Sequence, residues 1–245
     1  MRTMKVIEEL IEGLPGEPEA KKVLVGVFWT MVESSRVGLA STLAPGHPHE
    51  GSPVREAGRL TGRSARELAR LLLSDSVLEA SIGMAALNSL IEPDERWFVE
   101  KNASEVLMEK AQGKRTVIIG HFPFVRDLRK VTEDLWVLEL RPREGDLPAE
   151  KASEILPQAE VIGITSTTLI NHTFEEILAL CPPRSFKMLI GPSTPLSPLL
   201  FDLGIDALSG AVVVDAQRVT EHLLQGATFR QIHRAGVRLV TMSKR

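Results

Sequence analysis

The turn Gly120-His121-Phe122-Pro123 sets an imidazole directly behind Thr116–Phe122, a β-branched apolar run that reads as a buried strand. A histidine there is a candidate general acid or base near neutral pH. Gly120 permits a tight turn or a close ligand, and Pro123 suits the first position of a helix. Glu139 ends the next apolar run about 20 residues further on, where a nucleoside-binding α/β domain holds ribose hydroxyls. The competing reading is a surface carboxylate balanced by Arg141 or Arg143. A third run closes on Thr165-Ser166-Thr167-Thr168, followed by Asn171-His172-Thr173. Thr167, Thr168 and Asn171 can orient a polar ligand through hydrogen bonds or cap the next helix. The fourth run ends in Gly191-Pro192-Ser193-Thr194-Pro195, a proline-stiffened turn with hydroxyls and amides at a helix start. The chain lacks GxGxxG, GxxxxGK[ST] and GxSxG, so dinucleotide, P-loop and serine-nucleophile readings lose their motifs.

Other polar residues read more plainly. His47-Pro48-His49-Glu50 offers two imidazoles and a carboxylate to a metal, but no third ligand is fixed nearby and a solvated loop is the stronger reading. Asn88, on the small-residue stretch SIGMAALNSL, needs hydrogen-bond partners if buried. His172 projects from a helix start, while His222 and His233 fall on an amphipathic helix and look structural. The single cysteine, Cys181, excludes an internal disulfide and any multi-cysteine metal site.

Strands and helices alternate from Arg115 onward. The strand-like runs are Thr116–Phe122, Leu135–Leu140, Val161–Thr167, Phe186–Ser193, Gly210–Asp215 and Val237–Ser243. Helical patterns lie between them at Phe124–Val131, Pro148–Pro157, Thr173–Cys181, Pro195–Leu203 and Gln217–His233, with a capping box expected at Thr173-x-x-Glu176. This rhythm implies right-handed crossovers and a six-stranded, mainly parallel, doubly wound Rossmann-like sheet. The first part differs. A helix at Met4–Leu14 precedes two strand-like runs, Val23–Val32 and Arg36–Leu43, joined by a hairpin at Glu33-Ser34-Ser35. A polar loop and two helices, Ser64–Leu73 and Val77–Ile91, follow, as in a small α+β domain. The expected division is therefore 1–100 and 101–245.

The 245 residues suffice for one large or two modest domains, with 43% hydrophobic and 25% charged residues. A net charge of -3 and the absence of tyrosine argue against a nucleic-acid surface, which needs basic residues and stacking aromatics. No run approaches the roughly 20 apolar residues of a membrane span. The acidic opening lacks the apolar core of a signal peptide, so a cytoplasmic protein is expected.

The stretches GLASTL, SIGMAALNSL, VIIGHFPF, VLELRPREGDLP, ITSTTLINHTFEEIL, IGPSTPLSPLLFDLGID and LSGAVVVD resemble, in order, the domain family described as "putative heavy-metal chelation". The resemblance implies an enolase N-terminal-like domain joined to a Rossmann-like domain, with the active site between them. It implies condensation or hydrolysis of pterin-, flavin- or siderophore-like compounds, or metal chelation. By motif it points to Gly120, His121, Phe122, Pro123, Glu139, Thr167, Thr168, Asn171 and the Gly191–Thr194 loop, with Asn88 from the first domain. Thr165-Ser166-Thr167-Thr168 departs from the family's Thr-Gly-Thr-Thr, and serine narrows the backbone options there.

Three functional classes follow. The first is a small-molecule enzyme with an interdomain pocket, His121 its acid or base. The second is a non-catalytic module binding a metal or metal complex. The third is an S-adenosylmethionine-dependent methyltransferase, weakened by the single glycine of the first turn. The cofactor stays open between a divalent metal and a nucleoside-like molecule. The expected partner is a small molecule, without nucleic acid or membrane, and homo-oligomerisation stays open.

Overall fold

The structure is a computed structural model that describes residues 4–44 and 52–244. Helix α1 (Lys5–Glu12) buries Val6, Ile7, Leu10 and Ile11, spaced to share one face. Strands β1 (Lys22–Val25), β2 (Trp29–Glu33) and β3 (Val37–Ser41) form an antiparallel meander. The run Val23–Val32 is thus two strands rather than one, broken where Gly26 N–H donates to Trp29 O at 2.9 Å. The hairpin at Glu33-Ser34-Ser35 is present, with Glu33 opposite Val37.

Helix α2 (Ala65–Ala69) runs on as a 3-10 turn, Arg70–Leu73, before α3 (Val77–Leu90). Helix α3 is buried on almost every side because its small residues let neighbouring backbone approach. A Cβ on Gly38 of β3 would stand 2.1 Å from Ala85 O and 2.3 Å from Ser89 N, so strand and helix lie backbone to backbone.

The second part begins with β4 (Phe98–Val99) and α4 (Ala103–Ala111), whose N-terminus carries a full capping box between Asn102 and Glu105. There follow β5 (Arg115–Ile119), α5 (Val125–Leu128), β6 (Asp134–Glu139), β7 (Leu147–Pro148) and α6 (Ala152–Ile155). Next come β8 (Val161–Thr165), α7 (Thr167–Ile170), α8 (Phe174–Leu180), β9 (Phe186–Ile190) and α9 (Leu199–Asp202). The chain closes with β10 (Ala207–Val213), α10 (Ala216–Leu224), α11 (Phe229–Gly236) and β11 (Val237–Ser243).

All six expected strands are present in one eight-stranded sheet of order β4-β11-β10-β9-β8-β5-β6-β7. Strands β5 to β10 are parallel to their neighbours, and the fold is α/β with a Rossmann-like sheet. The last strand is the exception: β11 runs antiparallel to β10 and to β4. The segment read as one helix, Gln217–His233, is two helices of similar length separated at Gly226, whose φ is +73°. The second retraces the first, so the chain returns to the end of β10 that it left, and Val237 pairs with Val213. The segment Pro195–Leu203 is also mostly irregular, helical only over Leu199–Asp202.

One apolar cluster runs through both parts, from Val6, Leu68 and Met84 to Val117, Leu169 and Leu208. Among the described residues no helix is long and apolar enough to cross a membrane. After β5 the chain crosses to β6 on one side, and later to β8 on the other. The topological switch, and the crevice it opens, therefore lies at the carboxyl ends of β5 and β8.

Candidate functional site

At that switch the strand ends nearly touch. Gly120 has φ +96°, and a Cβ there would stand 2.9 Å from Thr165 Cβ. Both the left-handed conformation and the lack of space require glycine. Its N–H donates to Leu138 O at 2.9 Å, which places Glu139 beside it on the next strand.

A cavity of about 370 Å³ opens above these ends. Ile119 and Leu138 form part of its apolar lining, Thr165, Thr167, Thr168, Asn171 and Thr173 line its β8 side, and Gly120, His121, Phe122 and Glu139 stand opposite. The threonines bond among themselves. Thr165 Oγ1 and Thr167 Oγ1 are 3.0 Å apart, and Thr168 Oγ1 donates to Thr165 O at 2.7 Å. The expected Thr173–Glu176 capping box does not form, since Thr173 Oγ1 donates instead to Asn171 Oδ1 at 2.7 Å.

His121 Nδ1 lies 3.3 Å from Asp146 Oδ2. The Asp146 side chain is only 4% exposed, and the same oxygen accepts the Arg143 N–H at 3.1 Å. An aspartate pinned from behind can fix the orientation of the imidazole and leave Nε2 for a ligand. Sequence reading missed Asp146. Its one signal was the Gly145-Asp146 turn, and only folding shows that this turn comes back to His121. Glu139 Oε2 accepts the N–H of Leu140 at 3.1 Å. The balancing ion pair considered for Glu139, with Arg141 or Arg143, does not form among the described residues.

The rest of the expected site is elsewhere. Pro123 does not line the cavity. Asn88 and the Gly191-Pro192-Ser193-Thr194 loop, expected to face a ligand, fasten the two parts of the chain to each other. Asn88 Nδ2 donates to Leu39 O at 2.9 Å and to Ser193 O at 3.1 Å, while Ser193 Oγ accepts the Ser41 N–H at 2.8 Å. Ser193 and Thr194 are buried by that joint. The cavity is lined entirely by residues 119 to 180, so among the described residues it lies within the second part, not between the two. His172 belongs to the joint as well. It holds φ +61°, and its Nε2 donates to Leu72 O at 2.6 Å. His172→Ala is expected to destabilise the protein by about 1–2 kcal/mol, read as a lower urea midpoint. An unchanged midpoint would remove this bond from the account.

Metal ligation was tested on the same atoms. Among the described residues no three His, Cys, Asp or Glu side chains gather closely enough to hold a metal ion. The Cys181 thiol is pushed up to about 11 by burial and donates to Ile177 O at 3.2 Å, which suits a packed thiol and not a thiolate ligand. His47 and His49 lie outside the described residues. The described side chains do not fit a heavy-metal centre.

Two family models, both described as "Putative heavy-metal chelation", match this chain: DUF364 over residues 102–242 and DUF4213 over 7–91. The chain belongs to the DUF364 family. A crystal structure of a DUF364 protein with unknown function from Desulfitobacterium hafniense is 30% identical. The match covers 98% of this chain and 97% of that one, at a TM-score of 0.83. A second DUF364 structure, from Pyrococcus horikoshii, shares the fold over the full length of both chains at 20% identity and a TM-score of 0.81. An uncharacterized protein of Methanocaldococcus jannaschii is 25% identical over 168 residues, which span 66% of this chain and 65% of that protein's length.

Proposed function

We propose that this DUF364 protein binds a small organic molecule in the cavity at the β5/β8 switch and transforms it by proton transfer through His121. The observation that carries this reading is the His121–Asp146 pair, whose imidazole lines a cavity that also presents apolar side chains, threonine hydroxyls and the Glu139 carboxylate. Asp146 holds Nδ1–H, so Nε2 carries the lone pair that removes a proton and later returns it. Any link to heavy metals then runs through the bound organic molecule, since among the described residues no side chains gather into a metal centre.

The test pairs wild-type protein with His121→Ala, each incubated with a metabolite mixture and read by mass spectrometry. Wild type should consume at least one component, about 10²–10⁴ times faster than the variant, with thermal unfolding unchanged. Equal consumption by both, or none by either, would sink the catalytic reading. Asp146 makes a separate prediction, visible without substrate. Nitrogen NMR of neutral His121 should show one dominant tautomer, protonated at Nδ1, and Asp146→Asn should mix the two forms. Identical spectra for both proteins would mean that Asp146 does not position the ring.

A further inference from the structure

We infer that the ligand of this cavity is a ribonucleoside without phosphate groups, an assignment that rests on the cavity being the ligand site. Glu139 is the first observation. It is the last residue of β6, beside Gly120 at the end of β5, the place where a Rossmann-like sheet presents a carboxylate to a ribose diol. One of its oxygens accepts the Leu140 N–H, and the other has no protein partner among the described residues. A half-buried carboxylate with no paired cation among the described residues suits two hydroxyl donors, which satisfy it without adding charge.

The second observation concerns what surrounds it. Among the described residues no lysine or arginine lines the cavity, whereas Glu139 does. A phosphate would enter against the Glu139 carboxylate with no cation on the described lining to offset its charge. The helices that start at the rim, α5 and α7, have four residues each, too short to supply a useful dipole or a cradle of amides. The first turn also has a single glycine where diphosphate-binding turns need several.

The third observation is the wall beyond Glu139. Leu140, Ala149, Ala152, Ile177 and Leu180 form an apolar face, which suits a flat heterocycle. The volume of about 370 Å³ falls within the roughly 300–1,000 Å³ range of small-molecule sites. Ribose on Glu139 and base against this wall would bring the 5′ end of the sugar towards Gly120 and His121. That end is where a phosphate would be refused and where proton transfer is available.

The test is calorimetric titration of the full chain with adenosine, guanosine, cytidine and uridine, each compared with its 5′-monophosphate and its 2′,3′-dideoxy form. At least one nucleoside should bind with a sub-millimolar Kd, and its monophosphate and dideoxy form should each bind at least tenfold more weakly. Glu139→Gln should raise Kd about tenfold or more. Ala152→Leu, which fills the wall without touching the carboxylate, should also abolish binding. A monophosphate that binds as tightly, or an unchanged Kd in Glu139→Gln, would overturn the assignment. Should no nucleoside bind, NMR with indole as probe separates the two failures. Shifts at His121 and Thr167 would mean the class is wrong while the cavity still takes ligands. No shift at either would take the cavity reading down as well.

Discussion

Gly38→Ala is expected to unfold most of the protein under conditions in which wild type is stable. The added methyl carbon would stand 2.1 Å from Ala85 O, 2.3 Å from Ser89 N and 2.8 Å from Asn88 C. All three atoms are helix backbone, so no side-chain rotation relieves the clash. Helix α3 cannot retreat either, because on another side a Cβ at Gly83 would lie 2.0 Å from Leu72 N. The helix is clamped between a strand and a turn, and moving it disturbs the core shared by both parts. A loss of at least about 4 kcal/mol is expected, a large share of the roughly 5–15 kcal/mol that stabilises a domain. Gly113→Ala is the control. Its Cβ would meet nothing within 4 Å, and only its left-handed φ of +66° is disfavoured. It should lose about 1–2 kcal/mol. Urea midpoints that fall equally for the two variants would mean that α3 and β3 are not in backbone contact.

Glu79 supplies the second large effect and a dependence on pH. It lies in the first turn of α3, is 2% exposed, and accepts three hydrogen bonds from Arg55: backbone N at 2.9 Å, Nε at 3.2 Å and Nη2 at 3.0 Å. Ser74 Oγ adds a fourth at 2.5 Å. Burial alone would raise the carboxyl pKa, but the bonds from Arg55 and Ser74 outweigh it and hold the group below its ordinary 4.5. Glu79→Ala is expected to lose about 2–3 kcal/mol, less than a fully buried pair would because the guanidinium is mostly in water. The sign with pH follows from the depressed pKa. The stabilisation is complete above pH 4.5 and is lost as the pH falls through the lower value of the folded state. Urea midpoints followed downward from neutral pH should drop more steeply in wild type than in Glu79→Gln. Parallel curves would show that this carboxyl does not govern acid stability.

Much of this was legible before folding. The β-branched runs of the second part alternate with amphipathic stretches at spacings that permit little besides a parallel sheet, and all six strands are found. The carboxyl ends of those strands also identify Gly120, His121, Phe122, Glu139, Thr167, Thr168 and Asn171 as neighbours around one crevice, because the rule that places ligands there depends on topology alone. What the sequence left undecided was of two kinds. The direction of β11 depended on whether Gln217–His233 was one helix or two, and a single glycine decides that. Asn88 and the Gly191–Thr194 loop share a signature with ligand-binding turns. Small residues, hydroxyls and an amide satisfy a buried joint as readily as a substrate, and local chemistry does not distinguish them.

The sequence by itself determined the sheet, its strand ends and the imidazole at the first of them, since these follow from hydrophobic period and turn chemistry over short stretches. The tertiary structure alone decided that Asp146 reaches His121, that Glu139 has no balancing arginine among the described residues, and that the Ser193 loop closes a joint between the two parts of the chain. Each of these is a contact, or a missing one, set by how loops return over a finished sheet. The energy that places such loops comes from burial summed over the whole core, which no short stretch of residues contains.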